Sequence, residues 1–193
     1  MKSLFCLAAE IQRFCEDQNW NFCFIGGIAL QAWGEPRLTR DIDISILAQF
    51  GHEFSVIDPL LQKYPARVSD ARQFAMESRV LLLKSEIGIP IDVVLAGLPF
   101  EEEIAERAVP FPFLPETTLR VCSAEDLVIY KAFADRSRDW ADVEGILVRQ
   151  GADNLDWSHV ESNLEPLAEI KEAPHILVKL REIRERINQK RNQ

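Results

Sequence analysis

The stretch FIGGIALQAWGEPRLTRDIDISIL, residues 24–47, joins a doubled glycine to an alternating pair of acids. From Asp41 to Ile46 polar and apolar residues alternate, which is the pattern of a half-buried strand, so we expect Asp41 and Asp43 on one face. Two carboxylates about 6 to 7 Å apart along a strand repel each other unless a cation lies between them. Mg²⁺ suits that position because it takes oxygen ligands and keeps sites open for waters and phosphates. The acid pair therefore predicts a magnesium site.

The doubled glycine predicts a place for phosphate. An apolar run, residues 22–25, ends at Gly26 and Gly27, and a short helix over residues 28–33 follows. A helix N-terminus preceded by glycine presents backbone N–H groups and a positive dipole end, which suit a phosphate chain. Three residues before the acids can add contacts to the same phosphates: Arg37, Thr39 and Arg40. The alternative for the two arginines is pairing with Glu35 or with the acids.

These residues carry a family resemblance. Ile25-Gly26-Gly27, thirteen intervening residues and Asp41-Ile42-Asp43-Ile44 resemble the defining motif of the polymerase-β-type nucleotidyltransferase superfamily. The order Gly-Gly, Ala-Leu, Pro-Arg, Thr, Asp-Ile-Asp is most similar to the AbiEii/AbiGii toxin-like branch. That family uses a third carboxylate on a neighbouring strand, and Asp92 matches it. The resemblance covers residues 22–96 well and the later helices more loosely. It implies an α+β fold with a mixed sheet, a catalytic domain over residues 1–115 and a helical domain over residues 116–193.

The resemblance also implies a chemistry. Asp41, Asp43 and Asp92 would hold two Mg²⁺ ions, and a nucleoside triphosphate would be the substrate. Attack by an acceptor hydroxyl at the α-phosphorus would release pyrophosphate. Acids that alternate on a strand usually just face solvent, but the upstream glycines and an acid in the otherwise apolar strand around residue 92 favour a metal site.

In the same branch, a lysine and an aspartate of the following helical region face the nucleotide. Lys131 and Asp139 match them, so the resemblance gives Lys131 a phosphate contact and Asp139 a role in supporting the substrate or orienting the lysine. From the residues alone, Lys131 is more often a surface residue and Asp139 more often a helix cap.

The acceptor is left open by the sequence. The branch suggests RNA, such as a tRNA 3′ end, or a protein hydroxyl, with the chain acting as a toxin that is checked by a cognate antitoxin. A second enzymatic alternative is transfer to a small molecule such as an aminoglycoside, whose positive charge would suit an acidic protein. A third alternative is a regulator or antitoxin-like protein that binds nucleotide without turnover. The presence of all three acids argues against it.

Composition narrows the class of protein. The 193 residues are 47% apolar, enough for a proper core, and contain no run of about 18 apolar residues that would indicate a membrane span. Four cysteines without CxxC spacing fit reduced core residues, so we expect a cytoplasmic protein without membrane contact.

The charge is unevenly distributed along the chain. The formal net charge is −9, yet Lys171–Gln193 holds seven basic residues against three acids. This basic end could be an electrostatic binding site for RNA. The alternative is a solvated helix face whose apolar stripe packs on the body, a stripe formed by Ile176, Leu180, Ile183 and Ile187.

The remaining segments predict the frame of the fold. We expect a first helix over residues 4–17, a helix over residues 52–64 with Phe54 inward, and a helix from Ser123. Residues 79–84 and 89–96 predict a hairpin, which puts Asp92 within reach of the acid pair if its strand neighbours the acid strand. A proline-rich stretch predicts a linker between the two domains: Pro110, Pro112 and Pro115.

Overall fold

The computed structural model describes residues 2–191 and divides the chain into two compact units. The first unit runs to Ile28 and resumes over Leu38–Cys122, and the second combines Ala29–Arg37 with the chain from Ser123 onward. Met1 and residues 192 and 193 lie outside the described residues. The ends of the two expected domains, 1–115 and 116–193, and the end of the basic segment Lys171–Gln193 therefore lie there as well.

The first unit is built on a mixed sheet of six described strands, in the order β3-β4-β2-β1-β6-β5. The strands are β1 (Phe22–Phe24), β2 (Ile42–Leu47), β3 (Val80–Lys84), β4 (Pro90–Ala96), β5 (Val109–Leu114) and β6 (Thr117–Val121). β2 pairs with β4 in parallel and with β1 antiparallel. β6 pairs with β1 in parallel. The mixed sheet confirms the expected fold class.

The register between β2 and β4 places two acids side by side. Asp43 lies opposite Asp92, and Ile42 lies opposite Ile91. Ile42, Ile44 and Ile46 are fully buried, which confirms the alternation expected of this strand. β3 and β4 form the expected antiparallel hairpin. β4 is therefore the direct neighbour of the acid strand.

The helices of the first unit cover the sheet. They are α1 (Lys2–Asp17), the start of α2 (Gly26–Trp33), α3 (Phe54–Lys63), α4 (Ala71–Ser78) and α5 (Pro99–Arg107). α1 buries Leu4, Leu7 and Ile11, as its periodicity indicates. α3 continues through Pro59, and Phe54 is 48% exposed, so the expectation that Phe54 faces the core is wrong.

The expectation of a proline-rich linker is also wrong. Pro110 and Pro112 lie in β5, which pairs antiparallel with β6 at the edge of the sheet. An edge strand tolerates proline because one side of its backbone makes no ladder hydrogen bonds. Residues 115 and 116 thus connect two paired strands, and the units divide between Cys122 and Ser123.

The second unit is helical. Besides the end of α2, it contains α6 (Ala124–Ala134), α7 (Ser137–Gln150), α8 (Trp157–Ile170) and α9 (His175–Arg191). The Ser123 hydroxyl accepts the backbone N–H of Asp126 and so caps α6, as the sequence predicts. The apolar stripe of α9 is buried, and Arg181 and Arg186 on its other side form ion pairs with Glu161 and Glu144. Among residues 2–191, no helix combines the length and apolar character needed to cross a membrane.

Candidate active site

The glycine turn after β1 holds Asp43. The backbone N–H of Ile25 donates to the carbonyl oxygen of Asp43 (3.0 Å), and the N–H of Gly27 donates to its Oδ2 (3.3 Å). Gly26 has φ +54°, and a Cβ on it would lie 2.6 Å from Asp43 Cγ. Glycine is therefore needed at Gly26 for the backbone angle and for the close approach of the carboxylate. The Gly27 N–H, expected to meet phosphate, is directed at Asp43.

Thr39 holds the second acid. A Cβ on Gly27 would lie 2.8 Å from Thr39 Cβ, so the turn also packs closely against this threonine. Thr39 is buried, and its hydroxyl donates to Oδ1 of Asp41 (3.0 Å). Asp41 is exposed immediately before β2, and Arg40 beside it in sequence is exposed too. The glycines thus position Asp43 directly, and Thr39, which packs on Gly27, positions Asp41.

Asp92 has a basic partner that the sequence did not indicate. Arg67 forms an ion pair with it, and their side chains are 30% and 34% exposed. The Arg67 Nε also donates to the carbonyl oxygen of Leu83 (2.9 Å), which anchors the guanidinium on β3. Burial raises the pKa of Asp92, Arg67 counters that rise, and the negative charge of Asp41 adds to it. The net effect is a raised pKa, because the positive charge of Arg67 does not fully compensate for burial and for the negative charge of Asp41.

The chemistry of the three carboxylates fits a hard divalent cation. Asp43 and Asp92 point to the same face because they are register partners in parallel strands, and Asp41 is close enough to act on Asp92 electrostatically. Carboxylate oxygens are the ligands that Mg²⁺ prefers. Within the described part of the chain, however, no three His, Cys, Asp or Glu side chains are grouped as a metal centre. One oxygen of Asp92 instead faces Arg67.

The second unit contains a buried ionic cluster of Lys131, Asp139 and Asp142, with which the half-buried Arg37 and the exposed Arg136 form ion pairs. The ammonium group of Lys131 contacts Oδ1 of Asp139 (2.9 Å) and Oδ2 of Asp142 (2.8 Å). Arg37 binds both oxygens of Asp142 through Nε and Nη2, each at 3.0 Å. Arg136 binds Asp139. Two carboxylates on one helix face thus bind one lysine and two arginines.

The charges of this cluster stabilise each other. Burial by itself would raise the pKa of Asp139, but hydrogen bonds from Arg136 and Lys131 outweigh it and lower the pKa. Burial likewise opposes ionisation of Asp142, and hydrogen bonds from Arg37 and Lys131 lower its pKa. Both aspartates are therefore carboxylates at neutral pH.

The alternative interpretations of Lys131 as a surface residue and of Asp139 as a helix cap are both wrong. Lys131 is 7% exposed and therefore not a surface residue. Arg136, not Asp139, occupies the N-cap of α7. The partners expected of Arg37 from the sequence were phosphate, Glu35 or the acid pair, whereas its partner in the structure is Asp142.

Three charged residues were missed by the sequence analysis: Arg67, Arg136 and Asp142. Asp142 had a signal, because it lies three residues after Asp139 and so on the same face of α7. Arg136 also lies three residues from Asp139. Arg67 had none, since it falls in an irregular segment 25 residues before Asp92.

The chain is similar to nucleotidyltransferases. A family model described as "Nucleotidyl transferase AbiEii toxin, Type IV TA system" matches residues 12–192. The sequence has no significant match among curated proteins.

Solved structures that resemble this chain are distant in sequence. An antigenic nucleotidyltransferase-like protein from Paracoccidioides brasiliensis is 14% identical with a TM-score of 0.54, covering 94% of this chain and 93% of that one. The antibiotic-resistance factor ANT(2'')-Ia is 13% identical with a TM-score of 0.59, covering 89% and 96%. The lincosamide antibiotic adenylyltransferase LnuA, bound to lincomycin, is 18% identical with a TM-score of 0.49, covering 71% and 92%. At these identities the likeness to the first two structures concerns the fold alone.

Proposed function

Because the chain belongs to the AbiEii nucleotidyltransferase family, we propose that it moves a nucleoside monophosphate from a nucleoside triphosphate to an acceptor hydroxyl in a Mg²⁺-dependent reaction. The observation that carries the proposal is the register that sets Asp43 opposite Asp92 on adjacent parallel strands. Asp41 adds a third carboxylate whose charge acts on Asp92. An arrangement of this kind is unfavourable for a protein without a bound cation.

The proposed roles of the acids follow from what holds them. Asp41, Asp43 and Asp92 would bind two Mg²⁺ ions, which when bound stabilise the negative charge of the phosphates and activate the acceptor hydroxyl. The Gly26-Gly27 turn fixes the carboxylate of Asp43. The Thr39 hydroxyl fixes Asp41. Asp92 is the carboxylate that we propose receives the proton of the acceptor hydroxyl, while pyrophosphate leaves from the α-phosphorus.

The remaining candidate residues are proposed to bind phosphate. Arg40 is next to Asp41 in sequence and is exposed, so its side chain is accessible to an anion. Gly26 and Gly27 are proposed to let the triphosphate approach the backbone closely. Lys131 is proposed to neutralise charge on the leaving phosphates, with Asp139 as the carboxylate that orients it. Substituting methionine for Lys131 should weaken nucleotide binding, as measured with a fluorescent nucleotide.

We propose that the biological role is that of the toxin in a toxin–antitoxin pair, because the family description names such a system. The acceptor would be RNA, such as a tRNA 3′ end, or a protein hydroxyl, and a cognate antitoxin would oppose the activity. The cytoplasm is the proposed location, since all four cysteines are free thiols and nucleoside triphosphates are available there. The ion pairs of Arg181 and Arg186 in α9 reduce the charge available for RNA.

The experiment measures which acceptor receives the label from each nucleoside triphosphate carrying ³²P at its α-phosphate. The full chain is incubated with Mg²⁺ and, in separate reactions, with total RNA, with cell protein and with a panel of aminoglycosides. Label in RNA or protein with release of pyrophosphate supports the proposal. Label in an aminoglycoside would identify a small-molecule transferase instead. Nucleotide binding without pyrophosphate release from any acceptor would contradict transfer and favour a regulator.

A further inference from the structure

Arg67 lies where it can act on the acid site without belonging to the acid set. Its backbone is fixed against β3, because its N–H donates to the carbonyl oxygen of Leu82 (2.9 Å) and the neighbouring Ala66 forms a bridge with Leu83. Its side chain reaches across to Asp92 and is 30% exposed. The guanidinium can therefore leave Asp92 by a side-chain rotation that gives up its Nε hydrogen bond to Leu83 but requires no change in the backbone.

We propose that Arg67 is a positioning residue that competes with divalent cations for Asp92 and thereby sets the cation affinity of the site. This inference rests on the proposed function, because it concerns the same carboxylates. In the described structure Arg67 is ion-paired with Asp92, and it supplies positive charge next to an acid that also feels the charge of Asp41. A cation that binds Asp92 must either displace the guanidinium or tolerate its charge nearby.

Both outcomes weaken cation binding. The guanidinium group of Arg67 brings one positive charge to the carboxylate that the cation would bind. Two positive groups at contact distance repel each other even where solvent reaches them. Removing one unit charge at a half-exposed position should therefore tighten cation binding about tenfold.

The test is calorimetric titration of the full chain with MnCl₂, which reports binding without requiring turnover. Arg67→Gln removes the charge and keeps a polar side chain, whereas Arg67→Lys keeps the charge. The matched control is Arg72→Gln, since Arg72 also forms an ion pair, with Asp58, but on an exposed part of the surface. Thermal melting of each variant checks folding, and Arg67→Met is the second neutral variant if Arg67→Gln does not fold.

The competition predicts a distinct pattern of affinities. Arg67→Gln should bind Mn²⁺ about tenfold more tightly than wild type, and Arg67→Lys and Arg72→Gln should stay within about twofold of it. The effect of Arg67→Gln should disappear when Asp92→Asn is also present. Equal Mn²⁺ affinity of wild type and Arg67→Gln, or an effect that persists with Asp92→Asn, would overturn the inference and leave the proposed function standing. No Mn²⁺ binding by any variant, with or without nucleotide, would overturn both.

Discussion

Gly26→Ala is the substitution whose effect is best defined by the structure. Gly26 has φ +54°, a backbone angle that alanine adopts only at a cost. The added Cβ would lie 2.6 Å from Cγ and 2.8 Å from Cβ of Asp43, distances that folded proteins do not tolerate. Asp43 lies in β2, the central acid strand, so its Cβ cannot move freely. The carboxylate of Asp43 must therefore turn away from the glycine turn.

The cost can be estimated from two contributions. The left-handed backbone angle costs alanine about 1 to 2 kcal/mol. Turning the carboxylate removes its hydrogen bond from the Gly27 N–H, which is worth about 1 to 2 kcal/mol for a charged acceptor at this length. We therefore expect Gly26→Ala to lower the free energy of unfolding by about 3 kcal/mol.

Urea denaturation followed by circular dichroism measures this change. Gly88→Ala is the matched control, because Gly88 also has a positive φ (+80°) but open space around its would-be Cβ. It should cost only the backbone contribution, about 1 kcal/mol. A Gly26→Ala variant no less stable than Gly88→Ala would refute the packing of the glycine turn against Asp43.

Three further predictions concern the second unit. Asp142→Asn should lower the free energy of unfolding by about 3 kcal/mol in urea, because Lys131 and Arg37 lose a buried charged partner; an unchanged value would contradict the buried ionic cluster. The lowered pKa of Asp139 contributes stability that is present above the unfolded pKa of about 3.9 and is lost as pH falls through the folded pKa. Wild type should therefore lose more stability than Asp139→Asn between about pH 5 and pH 3, and equal losses would refute this assignment. Arg186→Gln breaks an exposed ion pair and should change the free energy of unfolding in urea by less than about 0.5 kcal/mol. A larger loss would contradict the weak contribution expected of an exposed pair.

Local pattern was enough to predict the elements around the acids. The alternation over residues 41–46 predicted β2 and the burial of Ile42, Ile44 and Ile46, because a strand has a period of two. The hairpin of β3 and β4 followed from two β-rich runs around a short loop. Pairing of β4 with β2 is a long-range contact, and the expectation for it came from the family resemblance.

Other features could not be predicted from pattern. Proline at 110 and 112 indicates a break in the chain unless the strand is known to lie at a sheet edge, and edge position is a property of the whole sheet. The pairing of Arg67 with Asp92 depends on how an irregular segment folds back on β3. Of the two carboxylate partners of Lys131, only Asp139 was predicted, and it was predicted from the family resemblance. Asp142 is indicated only by its helical spacing from Asp139.

Nucleotidyl transfer by variants of the paired acids tests the catalytic role of Asp43 and Asp92 most directly. Pyrophosphate release is measured for wild type, Asp43→Asn, Asp92→Asn and the exposed control Asp58→Asn, each checked for folding by circular dichroism. Asp43→Asn and Asp92→Asn should each lose at least about a hundredfold in rate, while Asp58→Asn should keep the wild-type rate. A wild-type rate in either of the first two variants would contradict the assignment of the acids to the reaction.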